Sequence, residues 1–190
     1  IEEDRTLPTD RRRQAGAIRA QSQVIRDLVN DLNLTMRLDC AMQALRKERL
    51  QPAALLRRTA ADFLNGGLAE GFSVEVELPP APLPVIEADE FLLRRAVNNL
   101  LINCVRHNAP GCAIRMGGQT EAGKVVLWVE GGQAASGQTV LSRQLEEDGG
   151  AAHGTGLRLV AQIAAAHGGQ ARFFMGTAYR CELCLPVKQR

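Results

Sequence analysis

Aromatic residues are scarce in this sequence: they make up 4% of its 190 residues, with one tryptophan and one tyrosine. Leucine, valine and alanine must therefore fill most of a core, and there are few of the platforms on which single-stranded nucleic acid stacks its bases. The formal net charge of +2 is too small to indicate nucleic acid or a membrane surface as a partner. No apolar run approaches the roughly 20 residues that span a bilayer. We therefore expect no nucleic acid partner and no membrane contact by this segment, so any membrane span would lie outside it.

The cysteine pattern does not complete a metal site. Cys181 and Cys184 have C-x-x-C spacing, but no second pair and no neighbouring histidine accompanies them. The surrounding segment alternates like a strand, which would point the two thiols to opposite faces. We expect reduced thiols in a cytoplasmic protein.

The sequence does contain a long amphipathic helix, predicted from about Arg11 to Leu45. Its apolar seam combines two rows spaced by seven residues, Ile18, Ile25 and Leu32 in one and Ser22, Val29 and Met36 in the other. Such a stripe indicates packing into a bundle or a homodimer. The alternative is a helix that lies on its own globular domain.

The pattern changes near residue 48, so we divide the chain into a helical segment, 1–47, and a globular domain, 48–190. The predicted elements of the domain are a helix that begins at Pro52 and is stopped by Asn65-Gly66-Gly67, a strand over 72–78, a helix over 89–107, a strand over 125–129, a helix over 154–167 and two strands within 172–185. This order is typical of a two-layer α/β sandwich with helices on one face of a mixed sheet.

Three polar side chains share one face of the predicted helix over 89–107. Asn99, Asn103 and Arg106 recur at spacings of four and three residues. Two carboxamides and a guanidinium on one stripe suit a hydrated Mg²⁺ and phosphate oxygens. The alternative is a polar stripe that faces solvent.

A glycine-rich segment precedes the next helix, with Gly154 and Gly156 on either side of Thr155. Glycines at this position let backbone N–H groups approach phosphates, and the helix N-terminus adds positive potential. The helix ends at His167-Gly168-Gly169, which we interpret as a cation and a glycine stop at the C-terminal end.

In this order the motifs resemble those of the ATP-binding domain of sensor histidine kinases, within the gyrase, Hsp90, histidine kinase and MutL superfamily. Residues 99–107 (NLLINCVRH) resemble the N box, and residues 154–163 (GTGLRLVAQI) resemble the G2 box. The segment 28–38 (LVNDLNLTMRL) resembles the second helix of the dimerisation and histidine-phosphotransfer hairpin. The resemblance implies a Bergerat-type fold that binds Mg²⁺ and ATP.

The resemblance also implies roles for individual residues. Asn103 would ligate Mg²⁺, Asn99 would act beside the triphosphate as the catalytic asparagine, and Arg106 and His107 would contact phosphates. The remaining nucleotide-binding positions would be Gly131, Gly132, Gly154, Thr155, Gly156 and Leu157, the last four as a phosphate-side loop. The γ-phosphoryl group would pass to a histidine and then to the receiver domain of a response regulator.

This chain departs from the family pattern at three places. The family has Asp-x-Gly-x-Gly after the strand over 125–129, where its aspartate accepts a hydrogen bond from the adenine amino group. Gly131 or, in another register, Glu130 stands there. Loss of that bond would cost on the order of 1.5–3 kcal/mol, a factor of roughly ten to a hundred and fifty in affinity. The lid, about residues 137–153, lacks the F box, and Arg158 replaces the third glycine of the G2 box, where it could compensate for lost loop contacts.

No histidine precedes His107, so we expect the phospho-accepting histidine upstream of Ile1, in a parent anchored in the cell membrane. Two functions remain open. One is the catalytic portion of a sensor kinase, and the other is a pseudokinase that keeps the fold and a dimer interface without using nucleotide.

Overall fold

The computed structural model describes Ser22, Arg26 and residues 29–40, 44–67, 69–108, 111–132, 155–175 and 179–187. Its elements are α1 (continuous over 29–39), β1 (Glu48–Leu50), α2 (Pro52–Asn65), β2 (Ser73–Glu77), β3 (Ile86–Ala88), α3 (Glu90–His107), β4 (Ala113–Glu121), β5 (Lys124–Gly131), α4 (Thr155–Ala166), β6 (Gln170–Met175) and β7 (Tyr179–Pro186). A five-stranded sheet has the order β2-β4-β5-β7-β6, and β1 pairs with β3 in a separate two-stranded sheet.

The main sheet is mixed, as the sequence predicted. Strands β2 and β4 are parallel, whereas the other neighbouring pairs are antiparallel. Helices α2, α3 and α4 pack on one face of the sheet, to which β5 contributes Val125, Leu127 and Val129. The predicted two-layer α/β sandwich is therefore confirmed.

Local sequence signals explain where the helices begin. Pro52 opens α2 at its first turn, where a missing N–H costs nothing. Asp89 caps α3, because its side chain accepts a hydrogen bond from the N–H of Leu92 at 3.1 Å. Helix α4 ends at a glycine, Gly168, with φ of 74°, a left-handed conformation that other residues rarely adopt.

His167, just past the end of α4, differs from the prediction. Its Nε2 accepts from the N–H of Asp89 at 3.0 Å, and its Nδ1 lies 2.7 Å from the carbonyl oxygen of Ile163. Since an N–H only donates and a carbonyl only accepts, the ring is neutral with its proton on Nδ1. The predicted cation is instead a buried neutral bridge between α4 and the start of α3.

The core is built mainly from branched aliphatic side chains. Its largest fully buried members include Leu55, Leu56, Leu92, Leu93, Leu100, Leu101, Leu127, Leu159 and Ile163. Phe63 and Phe173 are the buried phenylalanines among the described residues. The core thus matches the composition, in which aromatic residues are few.

The opposite face of the sheet carries an alternating network of charges. Arg115 pairs with Glu77 and Glu130, Arg180 pairs with Glu130 and Glu182, and Arg172 pairs with Glu182 and Glu121. The guanidinium of Arg180 also lies 4.5 Å from the ring centre of Trp128. This network covers Trp128, which is only 7% exposed.

The long N-terminal helix ends earlier than predicted. Residue 39 is its last helical residue, and Ala44 and Leu45 are not helical. The leading part of its predicted seam, with Ile18 and Ile25, lies outside the described residues. The described seam residues Val29, Leu32 and Met36 are 51%, 49% and 58% exposed, so the apolar row is not buried on this chain's own domain. No helix among the described residues has the length and apolarity to cross a bilayer.

Candidate functional site

The predicted asparagine stripe faces the N-terminus of α4. A Cβ atom placed on Gly156 would lie 3.9 Å from the side-chain nitrogens of both Asn99 and Asn103. Helix α3 therefore presents two amides to the first turn of α4. That turn also supplies backbone N–H groups without helical partners.

One buried polar atom at this place lacks a hydrogen-bond partner among the described residues: Nδ2 of Asn99, whose residue is 8% exposed. The hydroxyl of Tyr179 lies close to the side chains of Asn103 and Cys181. Unpaired buried donors are costly and uncommon in folded proteins, so each calls for an explanation. A polar ligand at the site would provide one.

Gly131 lies at the end of β5, and the structure settles which of two residues faces the site. Glu130 points to the opposite face of the sheet, where it pairs with Arg115 and Arg180. A Cβ atom on Gly131 would lie 2.6 Å from Nδ2 of Asn108 and 3.0 Å from Sγ of Cys104. Gly131 therefore has no room for a side chain, and Glu130 cannot serve as the acidic group.

The side chain of Asn108 fills the space beside Gly131. Its Nδ2 donates to the carbonyl oxygen of Cys104 at 2.7 Å, and its backbone N–H donates to the same oxygen at 3.1 Å. Asn108 thus closes the C-terminal end of α3. Burial raises the pKa of the Cys104 thiol to about 12, with a further contribution from the charge of Glu130, so the thiol is neutral at physiological pH.

Sequence reasoning did not identify Tyr179 as part of the site. It is the first residue of β7 and the register partner of Gly131, and its ring centre lies 6.5 Å from that of His107. Burial raises the pKa of its hydroxyl, so the group stays protonated. The available signal was the one tyrosine of the sequence, directly after Gly-Thr-Ala at 176–178.

The other predicted residues lie around this centre with different exposures. Arg106 and His107 are exposed on the last turn of α3, and Gly132 follows β5 with φ of 97°. Thr155, Gly156 and Leu157 form the first turn of α4 instead of the predicted loop. Leu157 is 6% exposed and belongs to the core, so only its backbone is free for a ligand. Gly154 and the lid over 137–153 lie outside the described residues.

Arg158 stands in the first turn of α4, where its guanidinium pairs with the carboxylate of Asp39 on α1 at 2.9 Å. Its compensating contact to a nucleotide stays a prediction.

A divalent cation at this site would have to rely on amide oxygen. Within the part of the chain that the structure describes, no group of three or more histidine, cysteine, aspartate or glutamate side chains could hold a metal. The carboxamide of Asn103 is half-buried beside Gly156. Its oxygen is the kind of hard ligand that Mg²⁺ accepts together with several waters.

The chain resembles two sensor proteins in sequence, although no protein-family model matches it. It is 30% identical over 169 residues to the alginate biosynthesis sensor protein KinB of Pseudomonas aeruginosa, covering 84% of this chain and 28% of that protein. It is 26% identical over 109 residues to the sensor histidine kinase YvrG of Bacillus subtilis strain 168, covering 57% of this chain and 19% of that protein. The chain therefore spans less than a third of either relative.

Three solved structures share the fold. The ATP-binding domain of PrrB from Mycobacterium tuberculosis matches with a TM-score of 0.55 and 26% identity, covering 75% of this chain and 98% of that one. Full-length ShkA in complex with AMPPNP matches with a TM-score of 0.69 and 24% identity, over 96% of this chain and 41% of that one. Histidine kinase ThkA in complex with the response regulator protein TrrA matches with a TM-score of 0.69 and 16% identity, over 97% and 54%.

Proposed function

Because the chain is homologous to sensor histidine kinases and has the fold of their catalytic ATP-binding domain, we propose that it binds ATP with Mg²⁺ between α3 and the N-terminus of α4. We further propose that the longer parent protein uses this nucleotide to phosphorylate a histidine and, through it, a response regulator.

The observation that carries the proposal is the unpartnered amide of Asn99. Its Nδ2 is buried, has no hydrogen-bond partner among the described residues and lies beside Gly156 at the start of α4. A phosphate oxygen placed there would accept from this amide and from the backbone N–H groups of the first helical turn. The positive end of the α4 dipole would favour the same anion.

The chain offers one suitable ligand for a metal ion in the same cleft. Asn103 would hold Mg²⁺ through its amide oxygen, and Asn99 would orient the phosphates. When bound, Mg²⁺ neutralises charge that develops on the transferred phosphoryl group. Arg106, exposed on the last turn of α3, has the reach and charge to bind a phosphate from the solvent side.

At the base end of the cleft Gly131 stands where the resemblance implies an aspartate, and the neighbouring Glu130 pairs on the opposite face of the sheet. We therefore propose that binding is weaker than with an intact motif, by roughly ten- to a hundred-and-fifty-fold. Asn108 and Tyr179 are the polar groups that flank Gly131.

The partners of the proposed kinase follow from the resemblance and are supported by the comparisons. ThkA, which shares this fold, was solved with a response regulator protein, so a receiver domain is the proposed acceptor. The exposed row of Val29, Leu32 and Met36 supports a homodimer through α1. KinB and YvrG are sensor proteins of greater length, and we propose that this chain is the cytoplasmic part of such a membrane-anchored sensor.

The direct test of the kinase proposal is autophosphorylation of the full-length parent with ATP labelled in its γ-phosphate. We expect Mg²⁺-dependent labelling of a histidine, and we expect Asn103→Ala to abolish it. Arg94→Ala, which removes an exposed ion pair with Asp62 away from the cleft, is the control and should label normally. A correctly folded parent that takes no label would refute the kinase proposal.

One observation favours a second candidate, a pseudokinase that serves as a dimeric interaction module. Gly131 is packed closely against the side chains of Asn108 and Cys104, at the position where the resemblance implies an aspartate. Aspartate introduced at Gly131 would have to displace the side chain of Asn108 before it could contact a nucleotide. Dimerisation of the parent without any nucleotide binding would support this candidate over the kinase.

A further inference from the structure

A polar stripe of α1 joins this helix to the edge of the proposed nucleotide site. Asp31, Thr35 and Asp39 recur every four residues and so share one face of α1. Asp31 and Thr35 are only 7% and 2% exposed, although both are polar. The face of α1 that meets the domain therefore carries this polar stripe beside Leu34 and Leu38, which pack against the core, and the apolar row of Val29, Leu32 and Met36 is left outward.

The stripe binds the two helices that form the cleft. Asp31 pairs with Arg95 of α3 at 2.6 Å, with both side chains largely buried. Asp39 pairs with Arg158 of α4 at 2.9 Å and also accepts a hydrogen bond from Gln162. Arg95 lies one turn before Asn99, and Arg158 lies in the first turn of α4.

Three features leave the contact of α1 with α3 and α4 incompletely held. The hydroxyl of Thr35 is buried without a hydrogen-bond partner among the described residues, so the docked face is imperfectly satisfied. The pair of Asp39 and Arg158 is 42% and 64% exposed, and exposed pairs hold weakly. A groove of about 850 Å³ is lined by residues of both α1 and α3, which include Met36 and Phe91.

The Asp39 carboxylate lies next to positive charge that would also attract a bound anion. It ends α1, where a carboxylate is disfavoured by the negative end of its own helix dipole. The guanidinium of Arg158, which belongs to the first turn of α4, and the amide of Gln162 offset that cost. A phosphate bound beside Gly156 would be drawn to the same positive charges and would repel Asp39.

We propose that the polar stripe of α1 is an electrostatic clasp, in which Asp39 competes with bound nucleotide for Arg158 and the first turn of α4. Closure of the clasp weakens nucleotide binding, and nucleotide binding loosens α1 by the same factor, because such coupling is reciprocal. This inference rests on the proposed nucleotide site. Arg158 is thus a positioning residue that links occupancy of the cleft to the placement of the helix.

The test measures the position of α1 and nucleotide affinity in the same variants. Nitroxide labels on Leu32→Cys and Gln119→Cys, in a Cys40→Ser and Cys112→Ser background, report the distance between α1 and β4. Dilution with unlabelled chain restricts the signal to distances within one molecule. Calorimetric titration with Mg²⁺ and a non-hydrolysable ATP analogue gives the affinity.

For the unsubstituted chain without nucleotide, we expect a narrow distribution of distances between the two labels. Asp39→Asn should broaden this distribution. The charge swap Asp39→Arg with Arg158→Asp should narrow it again. Asp39→Asn should tighten nucleotide binding by about fivefold or more, at the lower end of common coupling factors. The matched control Asp62→Asn, on the exposed pair with Arg94, should change neither quantity.

The outcomes separate this inference from the proposed function. If nucleotide binds but Asp39→Asn leaves both distance and affinity unchanged, the clasp is overturned and the nucleotide site stands. If no variant binds nucleotide, the proposed function and the competition at Arg158 are overturned together.

Discussion

Gly131 is the residue at which this chain differs most informatively from the family it resembles. The space beyond its Cα is already filled by Cys104 and by the amide of Asn108, which closes the end of α3. An acidic side chain at this position would meet the same atoms, so the packing of the domain suits glycine here.

We predict that Gly131→Ala destabilises the domain by about 1–3 kcal/mol, because a methyl group placed 2.6 Å from Nδ2 of Asn108 forces side chains or backbone to shift. Urea denaturation followed by circular dichroism measures the change.

Gly156→Ala is the matched control for this prediction. Its added methyl group would meet nothing closer than 3.9 Å, and alanine favours a helix over glycine, so stability should be unchanged or higher. Equal destabilisation by both substitutions would show that Gly131 is not specifically confined.

At the scale of elements, His167 ties the end of α4 to the start of α3. Burial lowers the pKa of its imidazole below the ordinary value of 6.5, the positive charge of Lys47 lowers it further, and the hydrogen bond to Ile163 and the charge of Asp89 oppose both. The folded state therefore holds this proton less tightly than the unfolded state.

We predict that the domain loses stability as pH falls through 6.5 toward the lowered pKa of folded His167. In this window the unfolded chain takes up a proton that the folded chain excludes, and protonation would break the bond from the N–H of Asp89. Above 6.5 the contribution is fully present. The unfolding free energies of the unsubstituted chain and of His167→Gln, measured between pH 5 and 8, test this prediction.

The glutamine variant, which does not titrate, serves as the reference. Its unfolding free energy should fall less steeply with decreasing pH than that of the unsubstituted chain. If the unfolding free energies of the two proteins fall in parallel as the pH decreases, His167 is not the cause of the loss of stability.

The charged face of the sheet gives a second prediction, about the stability that its buried network contributes. Arg180 serves both Glu130 and Glu182, which are 9% and 6% exposed, and it also covers Trp128. We expect Arg180→Ala to cost about 1–3 kcal/mol, since each glutamate keeps one other arginine. Arg94→Ala removes only an exposed pair with Asp62 and should cost no more than about 1 kcal/mol. Thermal unfolding of both variants compares them, and equal losses would contradict a special role for the buried network.

Over the whole molecule, the regular elements were easier to predict than the places where they meet. Helices α2 and α3 and strand β2 carry complete local patterns, including Pro52, the cap Asp89 and the alternation of 73–77. Strands β1 and β3 are three residues long and carry no pattern, and Gly117 and Gly118 interrupt the alternation of β4. The end of α1 was placed six residues too late because apolar residues continue to Leu45.

The sequence likewise predicted only part of the candidate site. The spacing of Asn99 and Asn103 placed them correctly on one face of one helix. Tyr179, Cys104 and Asn108 meet at Gly131 only through strand register and helix packing, which no local pattern encodes. The burial of Leu157 and the pairing of Arg158 with α1 are likewise products of tertiary contacts.

The exposed row of α1 leads to a prediction about assembly. We expect the chain to self-associate through Val29, Leu32 and Met36, because an uncovered apolar row on a helix favours pairing. Leu32→Lys should shift sedimentation toward the monomer and leave the unfolding of the α/β domain unchanged. If the unsubstituted chain stays monomeric at high concentration, the proposed interface is contradicted.

The central claim is that the cleft between α3 and α4 binds Mg²⁺ and nucleotide, and the side-chain amide of Asn99 reports on it directly. The measurement is a ¹H–¹⁵N spectrum of the chain titrated with Mg²⁺ and a non-hydrolysable ATP analogue, beside Asn103→Ala. We expect the Asn99 side-chain signals to shift in a saturable way that Asn103→Ala weakens or abolishes. Unchanged Asn99 signals at millimolar nucleotide would contradict the claim and favour the interaction module.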